Sequence, residues 1–272
     1  MSEQEYVEAN RRHWDEAVAY HVASALYDVA RFKQAPDRLK PLELAEVGDV
    51  RGKTLLHLQC HFGIDSISWA RQGAVVTAVD FSPNAIAQAR LLAAEVGAGV
   101  RFIESDVDAL PGRLHEQFDV VFTSYGVLGW LPDIRRWAQV AAGFVKPGGV
   151  FYIVEFHPIP DVFDDRVTDG ELQVAYPYFP QAEPLAFDNP GTYADPAAQM
   201  RHRRTYNFPF TLGDVVTGLV EAGLRIEFLH EFPYSFGRHL PFTHEVGPGN
   251  VRLIRHDGSL PLLFSIRATK PA

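Results

Sequence analysis

A chain of 272 residues with 47% apolar content is long enough for one large α/β domain with an elaboration and slightly long for a minimal one, which favours a single domain over two equal ones. The 12% aromatic and 22% charged fractions exclude a disordered or fibrous chain, and a formal net charge of −9 without a dense basic stripe argues against a nucleic-acid partner. A single cysteine, Cys60, excludes an internal disulfide and a cysteine-built metal site, and no apolar run approaches the roughly 18 residues that cross a bilayer. The acidic, polar start MSEQEYVEAN is neither a secretory leader nor an Arg-rich transit peptide. These features predict a cytoplasmic protein, monomer or homodimer, that binds no membrane and no nucleic acid. The basic run Arg201, His202, Arg203, Arg204 reads as a solvated face or a loop anchor.

Residues 2 to 46 read as largely helical, opened by Ser2 and Glu5 at capping-box spacing and carrying Tyr6, Trp14, Tyr20 and Tyr27. Residues 1–50 are then either a helical lid over a ligand or helices that pack their aromatics against the domain. From Thr54 the pattern changes to short apolar runs, Thr54–Leu58, Val75–Val79, Val100–Ile103, Phe118–Thr123 and Val150–Val154, as expected of strands covered on both faces. Helical stretches alternate with them: Ile64–Arg71, Pro83–Val96 and Pro132–Phe144, the second started by Ser82 as N-cap and Pro83 at the first helical position. The Lys146-Pro147-Gly148-Gly149 turn ends the third. Right-handed connections make this order a doubly wound parallel sheet, residues 51–156, whose ligand crevice lies at the carboxyl ends of the strands.

After the fifth strand the composition shifts. Residues 157–210 hold eight prolines interleaved with Tyr176, Tyr178, Phe179, Phe187, Tyr193, Tyr206 and Phe208, which predicts an inserted cap lining a pocket for a small, flat or apolar molecule. Residues 211–272 return to the core: a helix over Thr211–Gly223, a strand over Leu224–Leu229 and a final strand over Leu260–Thr269. The Asp257-Gly258 turn signal predicts a hairpin pairing Val251–Arg255 with that last strand.

The most informative stretch is LLHLQCHFGIDSISWARQGAVVTAVDFS, residues 55–82. It places a strand, a tight loop ending at Gly63, a helix, a second strand and an acid, Asp80, at that strand's carboxyl end. In Rossmann-like folds such an acid accepts from the ribose hydroxyls of an adenosine-containing cofactor; its plainer role is to cap the following turn. A dinucleotide needs a glycine-rich loop so that the backbone can reach the diphosphate, whereas Gln59-Cys60-His61-Phe62-Gly63 has one glycine and bulky neighbours.

Laid out this way, the chain resembles class I S-adenosylmethionine-dependent methyltransferases, whose first motif has the form acid-x-Gly-x-Gly-x-Gly. The motif falls on His57 to Gly63, with His57 in place of the acid and Gln59 and His61 in place of two glycines. Ser105-Asp106-Val107-Asp108-Ala109-Leu110-Pro111 is similar to the family's Gly-Asp-x-x-x-Leu-Pro context, Phe118–Asp133 to its fourth motif, and Val145–Gly149 to the turn before its fifth strand. The resemblance covers residues 54–155. It implies a seven-stranded, mostly parallel Rossmann-like sheet with an antiparallel last strand, and S-adenosyl-L-methionine as cofactor. It further implies that Gln59, His61 and Gly63 meet the methionine end, Asp80 the ribose, and Asp106, Val107 and Phe81 the adenine. Ser124 and Tyr125 line the crevice at the tip of the fourth strand, Tyr125 as contact or as packing, and Trp14 and Tyr20 reach it from the amino-terminal segment.

Methyl transfer to a small-molecule acceptor needs alignment of the nucleophile and exclusion of water, and a base only for an acceptor that arrives protonated. Glu155 and His157, at the end of the fifth strand, are the candidates, with His157 before Pro158 alternatively ordering the insertion. His239 and His244 do not make a zinc ligand set. Two other functions fit less of the pattern: a protein that binds S-adenosylmethionine or S-adenosylhomocysteine without transfer, and a dinucleotide-dependent oxidoreductase.

Overall fold

The computed structural model describes residues 1–34, 38–167, 170–237, 240–247 and 249–272. Three helices come first, α1 (Glu3–Ala23), α2 (Val29–Gln34) and α3 (Pro41–Val47). The capping box forms as its spacing predicts: the Glu5 amide donates to the Ser2 hydroxyl oxygen and the Ser2 amide to the Glu5 carboxylate. The core then alternates β1 (Thr54–Leu58), α4 (Ile64–Arg71), β2 (Val75–Asp80), α5 (Pro83–Glu95), β3 (Val100–Glu104), β4 (Phe118–Ser124), α6 (Ile134–Gly143) and β5 (Val145–Phe156). The insertion holds β6 (Leu185–Asp188) and β7 (Arg204–Asn207). Beyond it lie α7 (Leu212–Glu221), β8 (Arg225–Phe232), β9 (Ser235–Phe236), β10 (Thr243–Gly247), β11 (Asn250–Leu253) and β12 (Leu263–Thr269).

Seven strands form one sheet in the order β3-β2-β1-β4-β5-β12-β8. β1 to β5 are parallel, and β12 runs antiparallel between β5 and β8. The strand order reverses between β1 and β4, which opens a crevice at the carboxyl ends of those two strands. Successive residues supply opposite faces: in β5, Phe151 and Ile153 join the core under α6 and α7, while Tyr152 and Val154 join the core under α4 and α5. This two-sided burial explains why the strands read as continuous apolar runs.

The amino-terminal helix is tied down at several points that composition did not reveal. Asn10, 1% exposed, exchanges two hydrogen bonds of 2.8 Å with the backbone of Tyr206 in β7. Asp15 accepts from the Ser82 hydroxyl at 2.6 Å and from the Asn84 amide at 2.9 Å, gripping the start of α5. Glu16 accepts from the amides of Arg201 and His202, so the basic run is a loop anchor. α1 is thus pinned between the core and the insertion, across the mouth of the crevice.

Three readings change. β11 pairs with β10 and β9 rather than with β12, so the Asp257-Gly258 turn leads into the last strand without closing a hairpin on it. Lys146–Gly149 does not precede the fifth strand but bulges within β5, where Val145 pairs Phe118 and Val150 pairs Val120. The insertion, without visible periodicity, contains the antiparallel pair β6 and β7, each only four residues long. His239 lies outside the described residues. Among the described residues no helix is long and apolar enough to cross a membrane.

Candidate cofactor and acceptor site

A cavity of about 300 Å³ opens at the strand-order reversal. Its floor is the loop between β1 and α4. Gln59, His61 and Gly63 adopt φ of +57°, +50° and +82°, so alternate residues are left-handed although only one is a glycine. Each non-glycine residue held there costs about 1–2 kcal/mol. Backbone bonds hold the loop: the Cys60 amide donates to the Val79 carbonyl at 2.8 Å, and the Gly63 amide to the Cys60 carbonyl at 3.0 Å. Gly63 itself has no substitute, because an added Cβ would stand 2.8 Å from the Phe102 ring.

Asp80 ends β2 at 8% exposure and does two jobs. One carboxylate oxygen accepts from the His61 amide of the neighbouring β1–α4 loop at 2.8 Å, and the other from the Ser82 amide at 2.9 Å, capping the turn. Burial pushes its pKa up to about 6, opposed by the Ser82, His61 and Phe81 amides. A carboxylate has about four acceptor positions, so with three amides bound one remains for a hydroxyl donor within the cavity.

Gln59, His61, Gly63, Asp80, Phe81, Asp106, Val107, Ser124, Tyr125 and Trp14 all line this cavity. Tyr20 does not: its hydroxyl donates to the Gln199 carbonyl of the insertion, 3.4 Å away. Glu155 and His157 also stand apart from the cavity. Glu155 is 1% exposed and accepts from the amides of Gly126, Val127, Leu128 and Phe156, so it holds the loop after β4 in place. Its four backbone donors leave no free oxygen facing a ligand. His157 accepts from the Ile159 amide at 3.1 Å and lies 2.9 Å from the Glu231 carboxylate, ordering the start of the insertion. Burial lowers its pKa, and Glu231 opposes this.

Several residues on or behind the cavity wall were not foreseen. Glu43 of α3 and Asp65 of α4 line the cavity with Arg38 and Lys40. Asp65 stands two residues beyond the motif's glycine, which was a usable signal; Glu43 carried none, since its helix lies outside the motif. His21, fully buried, sits with Nδ1 2.9 Å from His61 Nε2, one ring donating to the other. Burial depresses both imidazoles, His21 to about 4, so the pair is neutral.

A second cavity of about 540 Å³ lies under the insertion and shares Trp14, Trp130 and Tyr193 with the first. Trp14 meets Trp130 edge-on at 5.1 Å and Tyr193 at 6.0 Å, forming an aromatic partition between the two spaces. His13 lines the second space, its Nδ1 2.7 Å from the His202 carbonyl; a carbonyl cannot donate, so Nδ1 carries the proton and Nε2 the lone pair.

Residues 55–149 match the family model of a methyltransferase domain. Over that stretch, about a third of the chain, the core is similar to a methyltransferase domain. Among curated relatives, a ubiquinone biosynthesis O-methyltransferase of Cronobacter sakazakii is 36% identical over 136 residues, 48% of this chain and 56% of that protein. Its counterpart in Klebsiella pneumoniae is 33% identical over 156 residues, 56% of this chain and 64% of that one. The chain therefore spans less than two thirds of the relatives it matches. Solved structures share the fold over nearly the whole chain. An S-adenosylmethionine-dependent methyltransferase from Mesorhizobium loti has a TM-score of 0.53 at 20% identity, covering 84% of this chain and 95% of that one. The glycopeptide N-methyltransferase MtfA complexed with S-adenosyl-L-methionine has a TM-score of 0.53 at 16% identity, covering 92% and 95%.

The left-handed loop gives a direct test of where its backbone cost lies. At position 59 a Gln59→Gly domain is expected to be more stable than Gln59→Ala by about 1 kcal/mol in urea unfolding, because glycine alone is unstrained at that φ. Equal midpoints, or a more stable alanine variant, would show that the loop is not held in the left-handed region.

Proposed function

We propose that this chain is an S-adenosyl-L-methionine-dependent methyltransferase acting on a small molecule. The observation that carries this is the pairing of a buried acid, Asp80, at the end of β2 with a β1–α4 loop whose glycine positions hold Gln59 and His61. The acid suits a ribose, and the side chains crowd the space that a diphosphate would need. The residues fit an adenosyl donor in a further respect: Gln59 Oε1 is buried without a hydrogen-bond partner in a cavity where a polar ligand would supply one. In this reading Asp80 receives the ribose, and Phe81, Asp106 and Val107 bracket the adenine. α1 and the segment 157–210 serve as lid and cap. MtfA, bound to the same donor on a similar fold, supports the reading.

Bound there, the donor supplies an electrophilic methyl on a sulfonium. The protein's part is placement: Trp14, Trp130 and Tyr193 stand between donor and acceptor spaces and narrow the passage for water. Well-oriented partners gain roughly 7–11 kcal/mol from placement alone. For an acceptor that arrives protonated, His13 replaces Glu155 and His157 as candidate base, since it lines the acceptor cavity and its Nδ1 bond to the His202 carbonyl leaves the lone pair on Nε2. The walls of that cavity are mostly aromatic and proline side chains, among them Phe163, Tyr176, Tyr178 and Phe187, which favours a flat or apolar acceptor. The family match ends at residue 149, before the insertion begins, so the relatives' acceptors do not transfer with it.

Calorimetric titration with S-adenosylhomocysteine and with NAD tests the donor. The nucleoside thioether is expected to bind and NAD not, with Asp80→Ala weakening the former at least tenfold; NAD binding alone would end this reading. With an acceptor in hand, His13→Gln is expected to lower kcat by at least tenfold at unchanged donor affinity, and an unaltered kcat would remove His13 from the chemistry.

A further inference from the structure

The motif's first position is an acid in the family and His57 here. His57 is 2% exposed, its Nδ1 lies 2.8 Å from the Ser66 hydroxyl and its ring meets Phe122 edge-on at 4.9 Å. Burial drives its pKa down to about 3, so the imidazole is neutral and brings no negative charge to the cavity it lines. A donor whose tail carries an α-ammonium would meet no counter-charge at that position.

Two carboxyl groups enter the same cavity from other elements. Asp65 sits in the first turn of α4, with Oδ2 3.4 Å from the Ser124 hydroxyl. Glu43, 1% exposed in α3, accepts from the Lys40 amide at 3.1 Å. Burial raises the pKa of both, and the nearness of Asp65 adds to the rise at Glu43, which reaches about 8. Among the described residues neither forms a salt bridge; Lys40 and Arg38 act on Asp65, and Lys40 on Glu43, through the field alone. The independent sign of a missing partner is Gln59: its Nε2 donates to the Val127 carbonyl at 3.3 Å, while its buried Oε1 receives nothing.

We infer that Asp65, Glu43 and Gln59 Oε1 together hold the α-ammonium of the donor's amino-acid tail, doing what an acid at position 57 would do. This rests on the donor proposed above. An ammonium has three N–H donors and no acceptor, and these residues offer acceptors of which one is orphaned and two are buried carboxyls lacking a bonded cation. Arg38 and Lys40 on the same wall complement the tail's carboxylate. The relocation also accounts for a neutral His57: with a carboxylate supplied by Asp65 of α4 and a further carboxyl by Glu43 of α3, position 57 is free to pack against Phe122.

The test compares two ligands on one protein. S-adenosylhomocysteine carries the amino-acid tail; 5′-deoxy-5′-methylthioadenosine keeps the nucleoside and thioether and lacks it. In calorimetric titration, Asp65→Asn and Glu43→Gln are each expected to weaken S-adenosylhomocysteine at least tenfold and to leave the truncated nucleoside within twofold of wild type. Wild-type affinity for S-adenosylhomocysteine in Asp65→Asn overturns the assignment, as does an equal loss for both ligands, which marks a merely structural carboxyl. Glu43 belongs to a helix cap, so Asp65→Asn decides if Glu43→Gln fails to fold by circular dichroism. A wild-type protein that binds neither ligand overturns the donor site itself, and this assignment with it.

Discussion

The hydrogen bond from the His61 amide to the Asp80 carboxylate is the contact on which the rest of the site depends. It joins the loop after β1 to the end of β2 and fixes where the crevice floor lies. Because this bond and the Cys60–Val79 backbone bond hold the loop, Gln59 and His61 keep a backbone conformation that glycine would adopt freely. The chain bears that conformational cost and gains side chains at the floor: a polar acceptor at 59 and an imidazole at 61 braced against His21 on α1. A loop of three glycines would leave those places to backbone and water.

The parts legible in the sequence are those fixed by local periodicity. β1 to β4 fall within a residue or two of their apolar runs, since strands buried on both faces show as runs whatever packs on them. Asp80 was legible because β2 must end where its apolar run ends. Glu155 was legible as an important acid at the end of β5 but misread in role, because sequence cannot say that four amides of neighbouring loops converge on it. Glu43, Asp65, His13 and His21 escaped for the same reason: their meaning arises only when α1 and α3 are laid against the core, a long-range packing event with no local signature. In the insertion, aromatic content was visible, while the pairing of β6 with β7, short strands rich in proline-bounded turns, was not.

The two cavities divide the electrostatics. The inner one gathers Asp80, Asp65, Glu43, Arg38 and Lys40, a mixture suited to a zwitterionic tail and a sugar. The outer one is mostly aromatic and proline-walled, with its charged groups limited among the described residues to carboxylates and a buried histidine whose pKa burial lowers. Trp14 belongs to both and comes from α1, so a helix outside the matched family region completes the partition. Its placement depends on Asn10, Asp15 and Glu16, three polar residues on α1 whose partners lie in different parts of the chain.

The central claim is that a crowded, acid-pinned loop still serves methyl transfer. It is tested most directly by incubating the purified protein with methyl-labelled S-adenosylmethionine and a small-molecule cell extract, and following the label by chromatography. The account predicts label in a discrete low-molecular-weight product, with S-adenosylhomocysteine formed in equal amount. Donor that is bound but returned intact, with no labelled product from any fraction, would contradict it.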